Sequence, residues 1–171
     1  MKILTYPNDL LTWPTCMVAD FDENLRRLSE AMIITVKASD GLGLAANQVG
    51  SDLSVFVCKD GMSEDGFLVA VNPTVDGWCE NILDFDLSKE GCLSLPGIQV
   101  ETRRYNQVIL KYQDLKGKDH DRPADGIFAR VIQHEMDHLR GKLIWDQISQ
   151  LNRNILKRRY KKVNKLKFKL R

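Results

Sequence analysis

The chain has 171 residues, the length of one domain that can bury a hydrophobic core without disulfide or metal staples. Its 43% hydrophobic and 28% charged residues exclude a wholly disordered chain, and no stretch approaches the twenty apolar residues of a membrane-spanning helix. The formal net charge of +2 is the sum of two regions of opposite charge. Residues 1–146 carry 15 Lys/Arg against 23 Asp/Glu, whereas residues 147–171 carry 10 Lys/Arg and no acid. The sequence therefore predicts an acidic body at 1–146 and a basic helical tail at 147–171.

The cysteines indicate a reducing compartment. Cys16, Cys58, Cys79 and Cys92 form no C-x-x-C pair, and the amino-terminal residues resemble neither a signal peptide nor a transit peptide. We therefore expect a cytoplasmic protein with free or metal-bound thiols and no membrane partner. Cys16, Cys58 and Cys79 are predicted to be buried structural residues, as lone cysteines commonly are.

The first half of the chain reads as a helix followed by strands. Apolar residues recur at helical steps over Leu25–Lys37, and Asp22 is the predicted N-cap. A glycine-rich turn over 41–48 follows. The apolar runs after it predict strands over Leu53–Cys58 and Phe67–Val71.

The second half of the chain adds strands and two helices. Trp78–Leu87 has an ambiguous pattern that is compatible with a strand, and Ile98–Thr102 and Val108–Tyr112 are predicted to form a pair of strands. Asp125 is placed to cap a helix over Gly126–Leu139, and a last helix is predicted over Gln147–Leu166. This order predicts an α+β domain, in which mainly antiparallel strands pack around the 126–139 helix between amino- and carboxy-terminal helices.

Two of the three histidines lie in His134-Glu135-Met136-Asp137-His138, on the helix predicted over 126–139. Imidazoles at i and i+4 share one helix face and can bind one metal ion, while the intervening Glu135 can act as a general base. A catalytic site of this kind needs a third protein ligand. Ile144 occupies the position where a metzincin-like peptidase would have a histidine, and no acid follows Asp146, so we expect the third ligand upstream.

Two upstream segments are candidates for the remaining chemistry. Cys92, in Glu90-Gly91-Cys92-Leu93-Ser94, can supply a thiolate ligand, although a lone cysteine is more often a buried structural residue. The segment from Gly41 to Gln48 is neither a dinucleotide fingerprint nor a P-loop, and it is compatible with a simple tight turn. Its glycines would also let a substrate backbone approach closely, and the Gln48 amide could donate to a developing oxyanion.

Together these three segments resemble the ordered signature motifs of the peptide deformylases, G-φ-G-φ-A-A-x-Q, E-G-C-φ-S and H-E-φ-D-H, where φ is apolar. The resemblance covers most of residues 1–150. It implies hydrolytic removal of the N-formyl group from the formyl-methionine of nascent polypeptides, with release of formate, by a metal-bound hydroxide. It assigns the metal to Cys92, His134 and His138, and it implies Fe(II) in the cell, with zinc, nickel or cobalt able to occupy the same ligands.

The resemblance also assigns roles around the metal. Glu135 would move the proton, and Gln48 and the backbone N–H of Leu93 would hold the oxyanion. Glu90 and Asp137 are predicted to orient ligands and not to carry out chemistry.

The substrate would bind in the manner of a β-strand and place its methionine side chain in a pocket. The resemblance implies backbone pairing with Leu42, Gly43 and Gly91 and a pocket formed by Ile127, Arg130 and Val131. Two positions depart from the pattern of many bacterial members, which have an apolar residue at the place of Arg130 and an arginine near Gln99. We expect the methylenes of Arg130 to line the pocket, and the alternative is a changed preference for the substrate.

The tail is predicted to be an amphipathic helix with a strongly cationic face. Its apolar face, which we expect to dock on the domain, consists of Leu151, Ile155, Leu156, Tyr160 and Val163. The resemblance implies a contact of this helix with the ribosome, and a monomeric enzyme; a merely solvated face is the alternative. Two other functions stay open at this point, a peptidase that uses the same helix and a non-catalytic RNA-binding module.

Overall fold

A computed structural model describes residues 1–63, 66–77 and 84–169, with side chains in the last helix described as far as residue 162. The helices are α1 (Glu23–Lys37), α2 (Gly126–Leu139) and α3 (Gln150–Lys169). Short 3₁₀ segments lie at Asp9–Thr12, Ala46–Val49 and Ile144–Gln147. The strands are β1 (Gly43–Ala45), β2 (Val55–Lys59), β3 (Phe67–Gly77), β4 (Phe85–Gly91), β5 (Gln99–Tyr105), β6 (Gln107–Gln113) and β7 (Asp119–Asp125).

The strands form two antiparallel sheets. The larger sheet has the order β1-β2-β3-β6-β7, which places β1 and β7 at its edges, and β4 pairs with β5 in a separate two-stranded sheet. The predicted α+β class with mainly antiparallel strands is therefore confirmed. Within the described part of the chain, no helix is long and apolar enough to cross a membrane.

Strand β2 is buried on both faces of the five-stranded sheet, and its successive side chains point to opposite sides. In β2, Val55 and Val57 belong to the core that contains α1, whereas Phe56 and Cys58 belong to the core that contains α2. The contacts between α2 and β5 also join the two-stranded sheet to this helix. The central position that the sequence predicts for the 126–139 helix is thus the observed one.

The helix limits follow local signals. The Asp22 side chain accepts a hydrogen bond from the Leu25 N–H and caps α1 as predicted. Asp125 is the N-cap residue of α2, but its side chain makes no capping hydrogen bond. Beyond α2, Gly141 has a φ of 71°, and a Cβ there would lie 2.5 Å from the backbone oxygen of Thr12, so both the turn and the close crossing require glycine.

The strand prediction is right in part. The segments predicted over Ile98–Thr102 and Val108–Tyr112 are strands, but they do not pair, because β5 bonds to β4 while β6 lies between β3 and β7. The Asn72-Pro73 segment lies inside β3, where the register shifts and Asn72 has a φ of 49°. Of the ambiguous Trp78–Leu87 segment, residues 78–83 lie outside the described residues, and 85–87 begin β4.

The cysteines are not all buried. Cys58 is fully buried as predicted, whereas the prediction for Cys16 is wrong because this residue is exposed. Its backbone explains its position, since Cys16 forms an isolated bridge with Leu53 at the surface. Cys79 lies outside the described residues.

The carboxy-terminal helix docks through fewer residues than predicted. Tyr160 is buried against Tyr6 and Trp145, with ring centroids 5.9 Å from each, and Leu156 packs on the same cluster. Leu151 and Ile155 are 71% and 55% exposed, so this part of the predicted apolar face is wrong. The side chain of Val163 lies outside the described residues. Over residues 150–162, whose side chains are described, the helix touches the domain along a narrow stripe and leaves most side chains exposed.

A buried ion pair ties the β2–β3 loop to the edge strand β7. The Asp60 side chain, which is fully buried, accepts from Arg122 at 2.7 Å and from the Ser63 hydroxyl at 2.6 Å. The Arg122 guanidinium lies over the Phe128 ring, 4.7 Å from its centroid. Burial opposes the charge of Asp60, but the hydrogen bonds from Ser63 and Arg122 outweigh it and lower the pKa of this carboxyl to about 2.

We expect Asp60→Asn to lower the free energy of unfolding by on the order of 2 kcal/mol at neutral pH. Because the folded pKa lies below the ordinary value of 3.8, the stabilisation is complete above about pH 4 and is lost as the pH falls towards 2. Urea denaturation over this pH range measures the difference. Asp76→Asn, which removes an exposed pair with Lys111, is the control and should change little. A deficit of Asp60→Asn that stays constant with pH would contradict the expectation.

Candidate metal centre

Three segments that are distant in the sequence meet beside α2. The helix presents His134 and His138 on one face, Cys92 follows the end of β4, and Gln48 lies on the 3₁₀ segment Ala46–Val49. The possible ligand atoms of Cys92, His134 and His138 all lie within 4.8 Å of one another, and the Cys92 sulfur is 3.1 Å from His138 Nε2. The sequence predicts this trio, and the structure brings it together.

The donor set fits a transition-metal ion. One thiol and two imidazoles suit zinc, iron, nickel or cobalt, and three protein ligands leave a coordination position for water or substrate. Cys92 is half-buried and His138 is 1% exposed, so the three atoms converge at the inner end of a cleft. Within the described residues, His138 Nδ1 has no hydrogen-bond partner, and His134 Nδ1 lies 3.0 Å from Glu90 Oε2.

Glu90 lies at the centre of a buried network of charged side chains. Its carboxylate receives two bonds from Arg104, each at 3.0 Å, and one from Arg130 at 2.6 Å, in addition to the His134 contact. Burial opposes this charge, but the bonds from His134 and Arg104 hold the pKa of Glu90 well below its usual range. Arg104 also donates to Asp137 at 2.6 Å. The network therefore fixes the orientation of His134 through a permanently ionised acceptor.

Arg104 is the member of this network that sequence reasoning misses. It is 5% exposed at an inward position of β5, where buried and exposed residues alternate strictly. Burial opposes its charge, but Glu90 and Asp137 raise the pKa of Arg104 above its ordinary value. An arginine on the apolar side of an alternating strand is the signal that could have identified it, because a buried charge requires a partner.

Glu135 points into the same space and is 3% exposed. Burial raises the pKa of Glu135 to about 7, the range of a general base that works at neutral pH. A Cβ on Gly43 would lie 2.5 Å from Glu135 Oε1, so the glycine leaves room for the carboxylate. One oxygen of Glu135, Oε2, is buried and has no partner among the described residues.

The Gln48 amide is held in a single orientation. Its oxygen accepts from the Ala45 N–H at 2.8 Å, and its nitrogen donates to the Ser94 hydroxyl at 3.1 Å. The same nitrogen lies 3.9 Å from the Cys92 sulfur. One amide N–H of Gln48 is thus bound to Ser94, and the nitrogen lies beside Cys92 of the trio and away from solvent.

Asn47, which carries no functional signal in the sequence, has a structural role here. This residue is 2% exposed, and its amide nitrogen donates to the backbone oxygen of His138 at 2.6 Å. The bond joins the segment that carries Gln48 to the carboxy-terminal end of α2. Since the pairing spans 91 residues of sequence, local pattern cannot reveal it.

A cleft of about 750 Å³ opens from the trio to the surface. Leu93, Gln48 and Glu135 line it, and so does Gln99. It also contains all six residues predicted to contact the substrate, which are Leu42, Gly43, Gly91, Ile127, Arg130 and Val131.

The free edge of β1 faces this cleft. The Leu42 oxygen accepts from the Lys59 N–H of β2, whereas the Ala45 N–H bonds to Gln48 on the other side. Because alternate residues of a strand direct their backbone groups to opposite edges, the N–H and C=O of Gly43 point away from β2. An extended peptide can bond to them.

The expectation that Arg130 lines the pocket through its methylenes rests on the cost of burying a charge without a partner, and the structure differs on this point. The Arg130 side chain is 12% exposed, and its guanidinium bonds to Glu90, Thr102 and Asp86. The charge is therefore compensated inside the protein instead of reaching solvent. The residue still lines the cleft, as expected.

A thiol and two imidazoles that meet beside a buried carboxylate are the arrangement typical of metal-dependent hydrolases. A model of the polypeptide deformylase family matches residues 1–154 of the chain. The chain therefore belongs to the polypeptide deformylase family.

Individual relatives agree with the family match. The chain is 38% identical over 165 residues to the peptide deformylase of Desulfotalea psychrophila, with 95% of each protein covered. It is 37% identical to that of Borreliella burgdorferi, with 99% of this chain and 100% of the relative covered. Among solved structures, the peptide deformylase of Legionella pneumophila superposes with a TM-score of 0.85 at 34% identity, covering 97% of this chain and 96% of the other.

We expect the wild-type protein to retain one transition-metal ion per chain and Cys92→Ala to lose it, because two imidazoles alone bind such an ion weakly. Metal content measured by mass spectrometry after gel filtration tests this. The matched control is Cys16→Ala, which removes an exposed thiol and should retain the ion. Full metal content in Cys92→Ala would rule out Cys92 as a ligand.

Proposed function

We propose that the protein, which as a peptide deformylase removes the N-formyl group from nascent peptides, does so by metal-dependent hydrolysis at Cys92, His134 and His138. The observation that carries this proposal is the convergence of the three ligand atoms beside the buried Glu135 carboxylate. The substrate is a peptide that begins with formyl-methionine, and the products are formate and a free amino terminus.

The metal is proposed to be Fe(II) in the cell, with zinc, nickel or cobalt accepted by the same ligands. A divalent ion supplies Lewis-acid activation of water and of the formyl carbonyl when it is bound. Glu90 supports this role, since its ionised carboxylate keeps the ring of His134 oriented through Nδ1 and leaves Nε2 for coordination.

Glu135 is proposed to move the proton. With a pKa of about 7, its carboxylate can accept a proton from the attacking water near neutral pH and later deliver it to the leaving amine. Its Oε2, which has no hydrogen-bond partner among the described residues, is available for this exchange. Burial both raises the pKa and keeps bulk water from competing for the proton.

The oxyanion is proposed to be held by the Gln48 amide and the backbone N–H of Leu93. Support comes from the fixed orientation of Gln48, whose oxygen is occupied by Ala45 so that its nitrogen faces Cys92. A donor that is already oriented needs no reorganisation as charge develops on the formyl oxygen.

The peptide is proposed to bind as an added strand between β1 and β4. Leu42 and Gly43 lie at the β1 side of the cleft and Gly91 at the β4 side, and the backbone groups of Gly43 point to the free edge. The methionine side chain would then lie against Ile127, Arg130 and Val131. Backbone bonds supply affinity in this mode, so the residues after methionine matter less.

We expect Glu135→Gln to lower kcat for formate release from formyl-Met-Ala-Ser by about 10²–10⁴-fold, the usual contribution of a positioned acid–base group. Metal content should stay at the wild-type level, because Glu135 is not a proposed ligand. Glu101→Gln, at an exposed position of β5, is the matched control.

Three outcomes would contradict the proposal. Formate release by Glu135→Gln at the wild-type rate would remove the assigned role of Glu135. Wild-type release that survives complete removal of metal by a chelator would exclude metal dependence. Internal peptide fragments in place of formate would indicate a peptidase.

The basic tail at 147–171 is proposed to attach the enzyme to ribosomes, while residues 1–146 carry out the reaction. The cations on α3 differ in their availability. Arg153 pairs with Asp146 at 2.7 Å, and Lys157 lies over Tyr6 and Trp145. Arg158, Arg159, Lys161 and Lys162 are exposed and can contact an RNA backbone.

We expect the fourfold variant Arg158→Glu, Arg159→Glu, Lys161→Glu and Lys162→Glu to lose salt-sensitive co-sedimentation with ribosomes. Its kcat/KM for formyl-Met-Ala-Ser should equal the wild-type value, since these residues lie outside the cleft. Substitution is preferable to truncation because Tyr160 is part of the core. Unchanged co-sedimentation would refute the attachment.

We also propose a monomer in the cytoplasm. The free thiols of Cys16, Cys58 and Cys92 support a reducing compartment.

A further inference from the structure

Arg130 occupies the wall of the cleft next to the proposed metal ligands. It lies four residues before His134 on α2, so the two side chains share one helix face and are separated by one turn of about 5.4 Å. Both residues line the cleft, so a substrate whose formyl group lies at the proposed metal ligands can place its first side chain against Arg130.

The guanidinium of Arg130 is held in place by four groups. Nη1 donates to Glu90 Oε1 at 2.6 Å and to the Thr102 hydroxyl at 2.9 Å. Nη2 donates to the backbone oxygen and the carboxylate of Asp86, both at 2.9 Å. Since Glu90 is itself fixed by Arg104, the side chain is pre-ordered and loses little conformational entropy when a ligand arrives.

The remaining donor of Arg130 is Nε. Both terminal nitrogens are engaged, whereas Nε–H forms no hydrogen bond within the part of the chain that the structure describes. The side chain is 12% exposed and lines the cleft, and its methylenes and Nε–H are the parts that are not bonded to Glu90, Thr102 or Asp86. On β4, Ser88 lies between Asp86 and Glu90 on the same strand face and also lines the cleft. The pocket wall is thus partly polar where a hydrocarbon side chain would prefer an apolar one.

We propose that Arg130 is a specificity-determining residue that makes the pocket favour an unbranched side chain with a hydrogen-bond acceptor over a hydrocarbon of the same shape. The inference rests on the proposed function. A thioether sulfur is a weak acceptor and highly polarisable, whereas the methylene that replaces it in norleucine is neither. Methionine and norleucine have nearly the same length and volume, so a purely apolar pocket would bind them alike.

A purely structural role makes a different prediction. If Arg130 only ties β4 and β5 to α2, its loss lowers stability or slows the reaction of every substrate by the same factor. The ratio of kcat/KM between two substrates of equal shape separates the roles, because a general disturbance of the site cancels in it.

The test compares formyl-Met-Ala-Ser with formyl-norleucine-Ala-Ser by formate release. The wild-type protein should prefer methionine by about fivefold in kcat/KM, the effect of one weak hydrogen bond from a charged donor. In Arg130→Met the ratio should fall to about one, as neither substrate then meets a donor. Formyl-(methionine sulfoxide)-Ala-Ser, which carries a stronger acceptor, should lose more from this substitution than formyl-Met-Ala-Ser does.

Two further variants sharpen the result. Arg130→Lys keeps a charge for Glu90 but lacks the Nε–H in this position, so it should also lose the preference. Arg26→Met removes an arginine from the exposed part of α1 and should preserve the wild-type ratio.

Each outcome decides between the alternatives. Equal kcat/KM for both substrates in the wild-type protein overturns the inference even if the variants do not fold. A preference that persists in Arg130→Met overturns it as well. Failure of the wild-type protein to release formate from either peptide contradicts the proposed function instead.

Discussion

The structure depends on the way in which one buried carboxylate, that of Glu90, is satisfied. An unpartnered charge at this depth would cost several kcal/mol. Here two arginines and a histidine surround it, and the three come from β5 and α2. The charge pairing of Glu90 therefore joins the two-stranded sheet to α2, and it also orients the proposed ligand His134. Replacement of a single member would leave the others without compensation.

The site is rigid for the same reason. Several proposed functional side chains are held by neighbours that have no role in the reaction: Ser94 and Ala45 hold Gln48, Glu90 holds His134, and Asn47 holds the end of α2. Among the described residues, Glu135 Oε2 and His138 Nδ1 have no such partner. The group proposed to exchange protons thus keeps one oxygen free of hydrogen bonds to the described part of the chain.

The sequence predicts the roles of residues whose chemistry requires a particular amino-acid type. It does not predict roles that arise only from contacts formed in the folded protein. The spacing of His134 and His138 predicts their shared face, and helical periodicity predicts the limits of α2. The strand β7 escapes prediction because Asp119–Asp125 has Ala124 as its one buried apolar residue. Arg104 escapes prediction because its partners lie 14 and 33 residues away. Leu151 and Ile155 continue a helical apolar pattern, yet no described part of the domain extends far enough to cover them.

The two edges of the five-stranded sheet differ in how they limit pairing with a strand of another molecule. At one edge, β7 carries Asp119, Asp121 and Asp125 together with Pro123, which has no N–H to offer a further strand. At the other edge, β1 is only three residues long and lines the cleft in which the substrate is proposed to bind. A second folded molecule meets negative charge at the first edge and the cleft walls at the second. The proposed peptide-binding edge is therefore also an edge that is protected from pairing with a second sheet.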